Sequence, residues 1–352
     1  MTSRVRVRAV AVLTLAALTL TGCGQAAPQD GGDDAQTGAS ASSSDGATVK
    51  IATGVDVQTK VLAHLYQQRL QADGVKASVV DVGSSREQIM DALQDGRATM
   101  VPDFSGDLYV YARQHETPAT PQPSASGSPA ASATPTASSD APRGLLDSLG
   151  QFLGITGETG PSDDDVYRAL PDVLPRGIRL LDSSGAQRTD RMVVTAATGA
   201  KYSLGDMNSA GKQCGKLSVG MPSGYADSAQ GTRGLKAYYR CSPRSAPEYG
   251  STDELVDALL QDKVQAAVLK SSEPVIQDEG LVVLDDPDRL FRPEREVVLS
   301  SQTLSDRATA SVNAVSADLS SDDLSTITRL AGGEHPAMSP EKTAAYVRDR
   351  PR

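Results

Sequence analysis

The segment from Val49 to Gly106 alternates strand-like apolar runs with helical ones, and this alternation constrains the fold more than any other feature. Such a β-α-β-α-β unit closes as a parallel sheet with right-handed crossovers, which brings the loops after its strands to one ligand-binding edge. These loops are predicted at 53–54, 83–85 and 103–106. The predicted elements are a strand at 49–52, a helix with apolar residues at 61–70, a strand at 77–82, a helix around 89–93 and a strand at 98–101.

The same alternation of predicted strands and helices recurs in the second half of the chain. A second lobe inserted between two crossing strands, one near Met192 and one near Val297, explains the order economically. The predicted elements are a helix at 163–170, strands at 177–182, 191–196 and 216–221, helices at 231–239 and 252–261, strands at 264–269, 281–284 and 296–300, and helices beginning at 305–306, 320–323 and 339–340.

The first 23 residues resemble the signal peptide of a bacterial lipoprotein. A basic start precedes an apolar run at 9–20, which is too short to cross a bilayer, where about 20 residues are needed. Leu20-Thr21-Gly22-Cys23 then matches a lipobox. The resemblance implies cleavage before Cys23, two lipid attachments on that cysteine, and stable anchoring at the outer face of the cytoplasmic membrane.

Two low-complexity segments lack the apolar residues of a packed core. Residues 24–47 are mostly Gly, Ala, Ser, Asp and Gln and are predicted to form a disordered tether. Residues from about 114 to 143 are rich in Pro, Ser, Ala and Thr and are predicted to be a solvated insertion within the folded body.

The composition excludes some partners and favours one cross-link. A net charge of −10 argues against nucleic-acid binding and favours a soluble acidic body, which we expect to be a monomer. Beyond Cys23 there remain only Cys214 and Cys241, and an even pair outside the cytoplasm favours a disulfide over two free thiols.

Catalytic and metal-binding motifs are missing from the sequence. There is no Gly-x-Ser-x-Gly, no Walker loop and no Cys-x-x-Cys, and the three histidines lack ligand spacing. We therefore predict neither an enzyme nor a cofactor nor a metal site.

Several segments of the chain form a recognisable series by their order and spacing. They are Val49–Leu65, Gly83-Ser84-Ser85, Asp91-Ala92-Leu93 with Gly96, Pro102-Asp103-Phe104-Ser105-Gly106, Gly231–Leu235, Leu255–Leu269, and Leu284-Asp285-Asp286 through Phe291-Arg292-Pro293. This series resembles the glycine betaine, choline and osmoprotectant binding proteins of ABC importers, and the similarity covers nearly all of 49–347.

This resemblance implies a fold class and a function. The fold is the α/β, two-lobed periplasmic-binding-protein fold of type II, with a mainly parallel sheet flanked by helices in each lobe and two crossing hinge strands. Residues 48–191 with 294–352 would form lobe I and residues 192–293 lobe II. The lobes would close on a small solute and deliver it to a membrane permease.

The resemblance also implies a site, from which this chain departs. A quaternary ammonium is best held by aromatic faces. Phe104 aligns with a ring of the family's aromatic cage, whereas Asp190, Leu269 and Glu294 stand where other tyrosines are expected. Gly54 and Ser228 stand where cations would hold a ligand carboxylate. The candidate ligand-binding residues are Thr53, Gly54, Ser84, Asp103, Phe104, Ser105, Asp107, Asp190, Tyr225, Ser271, Glu273 and Glu294.

We hypothesise a cationic or quaternary ammonium ligand held by the acidic residues and the Phe104 ring. One alternative is that these acids are solvated residues at the rim of the cleft and that the alignment slips by a residue or two. Another is a sensory or interaction lipoprotein that keeps the fold but no longer serves transport.

Overall fold

A computed structural model describes residues 47–115, 159–301, 304–333 and 335–350. The predicted signal peptide, the predicted lipidation site Cys23, the predicted tether up to residue 46 and the predicted insertion from residue 116 onwards lie outside the described residues. Within the described ranges, no helix combines the length and the apolar character needed to span a membrane.

The described strands form two five-stranded sheets. The first sheet has the order β2-β1-β3-β10-β4 and the second the order β7-β6-β8-β5-β9. The strands are β1 Val49–Ala52, β2 Ala77–Val80, β3 Met100–Phe104, β4 Arg179–Leu180, β5 Asp190–Val194, β6 Val219–Pro222, β7 Glu248–Tyr249, β8 Ala266–Lys270, β9 Val282–Val283 and β10 Glu296–Ser300. We call the first sheet with its helices lobe I and the second with its helices lobe II.

Helices flank both sheets. Those of lobe I are α1 Val57–Ala72, α2 Arg86–Gln94, α3 Ser105–Gln114, α4 Asp163–Val173, α10 Asp306–Asp318, α11 Ser321–Ala331 and α12 Pro340–Asp349. Those of lobe II are α5 Ala196–Tyr202, α6 Met207–Gln213, α7 Thr232–Tyr239, α8 Thr252–Leu260 and α9 Val275–Asp278.

The two sheets share one topology. In lobe I, β1 pairs in parallel with β2 and β3, and β10 pairs antiparallel with β3 and β4. In lobe II, β6 pairs in parallel with β7 and β8, and β5 pairs antiparallel with β8 and β9. The predicted parallel unit β1-β2-β3 is confirmed, and each sheet as a whole is mixed.

The chain crosses between the lobes twice, and the two crossing segments pair with each other. The Arg188 N–H donates to the Glu294 carbonyl oxygen at 3.0 Å, and the Glu296 N–H donates to the Ala186 carbonyl oxygen at 2.9 Å. An antiparallel bridge joins Gln187 to Arg295 between them. The two lobes are therefore connected by a short two-stranded link, as the sequence order predicted.

Apolar side chains pack against both faces of each sheet. On one face of lobe I, Leu62 and Tyr66 of α1 are buried with Val312 of α10, and on the other Leu93 of α2 is buried with Leu108 of α3. Lobe II has a corresponding pair of clusters. Sheets covered on both faces leave the strand ends and their loops as the place for a binding site.

The third strand and the segment after it differ from the prediction. The strand runs over Met100–Phe104 instead of 98–101, and α3 begins at Ser105, where a loop was predicted. The predicted strand ended before Pro102 because proline is rarely found inside a central strand. In the structure Pro102 lies within β3, which is central between β1 and β10, and it pairs with Val298 of β10.

Other differences concern short elements. The predicted strand at 216–221 begins only at Val219, after a 3₁₀ turn over Cys214–Lys216, and the strand at 177–182 is reduced to Arg179–Leu180. Helices α5, α6 and α9 and strand β7 were not predicted. Each is too short for a periodic pattern to stand out from its neighbours.

The predicted disulfide is present. Cys214 and Cys241 are bonded, with a Cα–Cα distance of 5.2 Å. Cys214 directly follows α6 and Cys241 is the second residue after α7, and both cysteines are buried in the core of lobe II.

Candidate solute-binding cleft

The loop between β1 and α1 delivers a carboxylate to the edge of lobe I. Gly54 adopts φ +73, and a Cβ there would lie 2.3 Å from Thr59 Oγ1, so the turn requires glycine. Asp56 then caps α1 and accepts a hydrogen bond from the Thr59 N–H at 2.9 Å. Burial disfavours the charged form of Asp56, but Arg188 and the Thr59 hydrogen bonds outweigh it and lower the pKa.

The ends of β2 and β3 meet through a bidentate ion pair. Arg86, the first residue of α2, donates from Nε to Asp103 Oδ2 at 2.9 Å and from Nη2 to Asp103 Oδ1 at 2.7 Å. Both side chains are largely buried, a geometry in which guanidinium and carboxylate bind strongly. This pair joins the segment after β2 to the end of β3.

The Phe104 ring at the end of β3 carries a cation on its face. Phe104 is fully buried, and the guanidinium carbon of Arg188 lies 3.5 Å from the ring centroid. The same guanidinium pairs with the Asp56 carboxylate, and its Nη1 donates to Gln58 Oε1 at 3.1 Å. A ring face and a carboxylate thus hold one positive charge.

Lobe II contributes an acid, a base and a phenol. Lys270 Nζ lies 3.0 Å from Asp190 Oδ1, and the Tyr225 hydroxyl donates to Asp190 Oδ2 at 3.0 Å and also lies 3.2 Å from Gln230 Oε1. Burial raises the pKa of Tyr225 well above its usual value, and the Asp190 charge adds to the rise. Tyr225 therefore stays a hydrogen-bond donor.

The second crossing segment contributes Arg292 and Glu294. Arg292 Nη2 donates to Asp107 Oδ1 at 3.1 Å. Burial raises the pKa of Glu294 to about 8, with the Asp107 charge adding to the rise and Lys270, Arg292 and Arg188 opposing it. Within the described part of the chain, Glu294 Oε2 has no hydrogen-bond partner.

Electrostatic interactions cross from one lobe to the other at this point. Burial alone would raise the pKa of Asp107, but the positive charges of Lys270, Arg292 and Arg86 exceed this effect, so the pKa is lowered. Lys270 belongs to lobe II and Asp107 to lobe I. The side chains from both lobes therefore form one group, which we call the cleft cluster: Arg86, Asp103, Phe104, Asp107, Arg188, Asp190, Tyr225, Lys270, Arg292 and Glu294.

The lobes also contact each other beside the cleft cluster. Gln58 Nε2 at the start of α1 donates to Ser272 Oγ of lobe II at 3.0 Å. Arg329 of α11 binds Asp278 of α9 through two hydrogen bonds of 2.6 and 2.9 Å. These contacts join the two lobes.

The structure brings together half of the predicted ligand-binding residues. The six residues found in the cleft cluster are Asp103, Phe104, Asp107, Asp190, Tyr225 and Glu294. Glu273 lies close enough for its charge to interact with that of Lys270. Two of the predicted acids, Asp103 and Glu294, are buried.

The other predicted residues lie elsewhere. Thr53 and Gly54 form the turn before α1, and Ser84 and Ser271 are exposed. Ser105 links α3 to the crossing segment, since its N–H donates to the Arg295 carbonyl and its hydroxyl accepts from the Arg295 N–H.

Sequence reasoning missed all four basic residues of the cluster, namely Arg86, Arg188, Lys270 and Arg292. The resemblance had suggested that cationic positions were lost. In β8 the alignment pointed to Leu269, which packs in the core of lobe II, whereas the next residue, Lys270, reaches Asp190. Because strand side chains alternate between faces, an error of one residue exchanges a core position for a cleft position.

The described residues contain no group of three or more His, Cys, Asp or Glu side chains that could hold a metal ion. The acids of the cluster are paired with arginine and lysine instead. The chemistry available is therefore recognition by charge, hydrogen bond and aromatic face.

Two α/β lobes of this topology, joined by two crossing segments where charged side chains of both lobes interact, define a type II periplasmic binding protein. A family model described as the substrate binding domain of the ABC-type glycine betaine transport system matches residues 47–346, and the chain belongs to this family. Proteins of this family are solute receptors and not enzymes.

Solved structures support the same fold. A glycine betaine/carnitine/choline ABC transporter structure is 18% identical, with a TM-score of 0.64 over 85% of this chain and 96% of that chain. Apo YehZ from Escherichia coli is 14% identical, with a TM-score of 0.58 over 85% of this chain and 96% of that one. No curated protein matches the sequence.

Proposed function

We propose that the protein is an extracytoplasmic solute-binding lipoprotein of an ABC importer. It binds a small cationic or quaternary ammonium solute of the osmoprotectant type between the lobes and delivers it to a membrane permease. The lipid on Cys23 keeps it at the outer face of the cytoplasmic membrane. The proposed division of the chain into 48–191 with 294–352, and 192–293, has its first boundary two residues inside β5, the first strand of lobe II.

One observation carries the choice of ligand class. The Phe104 face already holds a positively charged group together with the Asp56 carboxylate. Cation–π attraction is strongest where the cation has lost its water, as it has over a fully buried ring. The site is therefore suited to an organic cation, and membership of the glycine betaine family supports this class.

Calorimetric titration of the dialysed protein with choline, glycine betaine and a polyamine tests the proposal. We expect choline or glycine betaine to bind and Phe104→Ala to abolish binding, with Phe104→Tyr retaining it. Binding of the polyamine alone would indicate a site governed by the acids, and no binding of any of the three would contradict the proposal.

A second function is favoured by a different observation. The three best-formed acid–base pairs of the cluster, Arg86–Asp103, Arg292–Asp107 and Lys270–Asp190, satisfy one another without a ligand. Such a self-neutralised cleft suits a sensory or interaction lipoprotein that no longer serves transport. A strain lacking the protein would then show normal uptake of quaternary ammonium solutes, whereas an importer component would be required for it.

A further inference from the structure

We infer that Arg188 is an internal competitor for the ligand: its guanidinium occupies the position on the Phe104 ring that the solute's ammonium group needs. The inference rests on the proposed function, because it assumes that the solute is an organic cation. It names Arg188 as the residue that sets the affinity and selectivity of the site.

The contacts of Arg188 are those that a bound cation would make. The guanidinium carbon is 3.5 Å from the Phe104 centroid, which is direct stacking contact, so this face of the ring is covered. The charge is balanced by Asp56, and Nη1 donates to Gln58 Oε1 at 3.1 Å. An aromatic face with an adjacent carboxylate is the usual environment of a protein-bound organic cation.

The Arg188 side chain is buried but not fully satisfied. Only 7% of the residue is exposed, and within the described residues its Nε has no hydrogen-bond partner. An arginine placed only for structure would be expected to satisfy its donors, because an unpaired buried donor costs free energy. The guanidinium is therefore held mainly by the ring and Asp56, the groups that a ligand would use.

Arg188 lies in the link between the lobes, so the guanidinium that covers the Phe104 ring is close to the point where the lobes join. Its backbone N–H pairs with Glu294 in the link between the lobes, and its partner Gln58 also donates to Ser272 of lobe II. When the lobes separate, the Gln58–Ser272 contact is lost, while Gln58 keeps its hydrogen bonds to the Leu324 carbonyl oxygen at 3.3 Å and to Thr328 Oγ1 at 2.8 Å in lobe I. A solute that enters the open cleft can then displace the guanidinium from the ring.

Substitution of Arg188 tests the inference directly. Arg188→Ala uncovers Phe104 and leaves Asp56 without its cation, so choline should bind with a dissociation constant lower by about tenfold or more than in the wild type. Arg188→Met removes the charge but still covers the ring, and should not improve binding. Arg97→Ala, at an exposed arginine paired with its neighbour Asp95, should leave the affinity unchanged.

A probe that does not depend on the natural ligand separates this inference from the proposed function. Methylguanidinium at millimolar concentration should raise the melting temperature of Arg188→Ala and not that of the wild type, and Phe104→Ala in the Arg188→Ala background should abolish the effect. Methylguanidinium rescue with no choline or betaine binding in either protein would support the inference and overturn quaternary ammonium solutes as the proposed ligand. Equal choline affinity in the wild type and Arg188→Ala, without rescue, would overturn the inference and leave the proposed function intact.

Discussion

Lys270 and Asp190 lie directly opposite each other in the antiparallel pair of β8 and β5, and Lys270 Nζ is 3.0 Å from Asp190 Oδ1. Their side chains are 35% and 14% exposed, so the pair is neither a surface ion pair nor a fully buried one. It places one fixed positive charge and one fixed negative charge at the lobe II side of the cleft.

A double-mutant cycle on this pair should give a coupling free energy of about 1–2 kcal/mol, between the values for exposed and buried pairs. The variants are Asp190→Asn, Lys270→Met and their combination, compared by urea unfolding. The matched control is the Arg97–Asp95 pair, whose side chains are 53% and 51% exposed and whose coupling should be below about 0.5 kcal/mol. Equal coupling in the two cycles would mean that the cleft does not shield its charges from water.

Local signals made much of lobe I predictable. The helices that begin after Ser305, Ser320 and Ser339 were predicted correctly, because each serine accepts a hydrogen bond from a backbone N–H of the first turn. The parallel β1-β2-β3 unit was predicted from apolar periodicity. Such periodicity is also a local signal, because the pattern of a strand or a helix is complete within ten to twenty residues. The two lobes were predicted because the alternation of strand and helix patterns stops after the first unit and resumes in the second half of the chain.

The chemistry of the cleft was less predictable because its partners are distant in sequence. Asp107 and Arg292 are separated by 185 residues, and nothing near either of them indicates the pairing. Phe104 entered the predicted site only through family resemblance. The acids alone suggested a negatively charged cleft, and the four basic residues that balance them became visible only when both lobes were assembled.

The stability of lobe I should depend on pH through Glu296. This residue of β10 is fully buried, and Oε1 accepts a hydrogen bond from the Tyr66 hydroxyl at 2.9 Å. Burial raises its pKa from 4.5 to about 7, although hydrogen bonds from Tyr66 and Ser184 oppose the rise. Because the folded protein holds this proton more tightly than the unfolded chain, the stabilisation is complete below pH 4.5 and is lost as the pH rises through 7.

Glu296→Gln should remove this part of the pH dependence. The amide keeps an acceptor for Tyr66 and is neutral at every pH, so the variant should approach wild-type stability at pH 4.5 and exceed it by up to about 3 kcal/mol at pH 8. Urea unfolding at both pH values measures the difference. Parallel pH profiles for the two proteins would show that Glu296 titrates in the folded state as it does in the unfolded chain.

The disulfide should account for a substantial part of the stability of lobe II. Cys214 and Cys241 are 27 residues apart, and closing a loop of this length is worth about 3–4 kcal/mol in the chain-entropy model. Cys214→Ala with Cys241→Ala should lower the free energy of unfolding by about that amount. Reduction of the wild type serves as the control and should give a similar loss; a change below about 1 kcal/mol in both would contradict the prediction.

The contact between Arg329 and Asp278 should bias the lobes towards the closed form. It joins α11 of lobe I to α9 of lobe II by two hydrogen bonds, and both side chains are about half exposed. An exposed pair is worth up to about 1 kcal/mol, so Arg329→Ala should raise the ratio of open to closed protein by about two- to fivefold.

Distances between spin labels on the two lobes, measured without ligand, would follow this ratio. Arg348→Ala is the matched control, because Arg348 pairs with its own neighbour Asp349 inside lobe I and should not alter the distances. The effect should also vanish in about 1 M salt, where the wild type should resemble Arg329→Ala because the exposed pair is screened. If the distance distributions of the wild type and Arg329→Ala coincide at low salt, the lobes are held by buried contacts such as the hydrogen bond from Gln58 to Ser272.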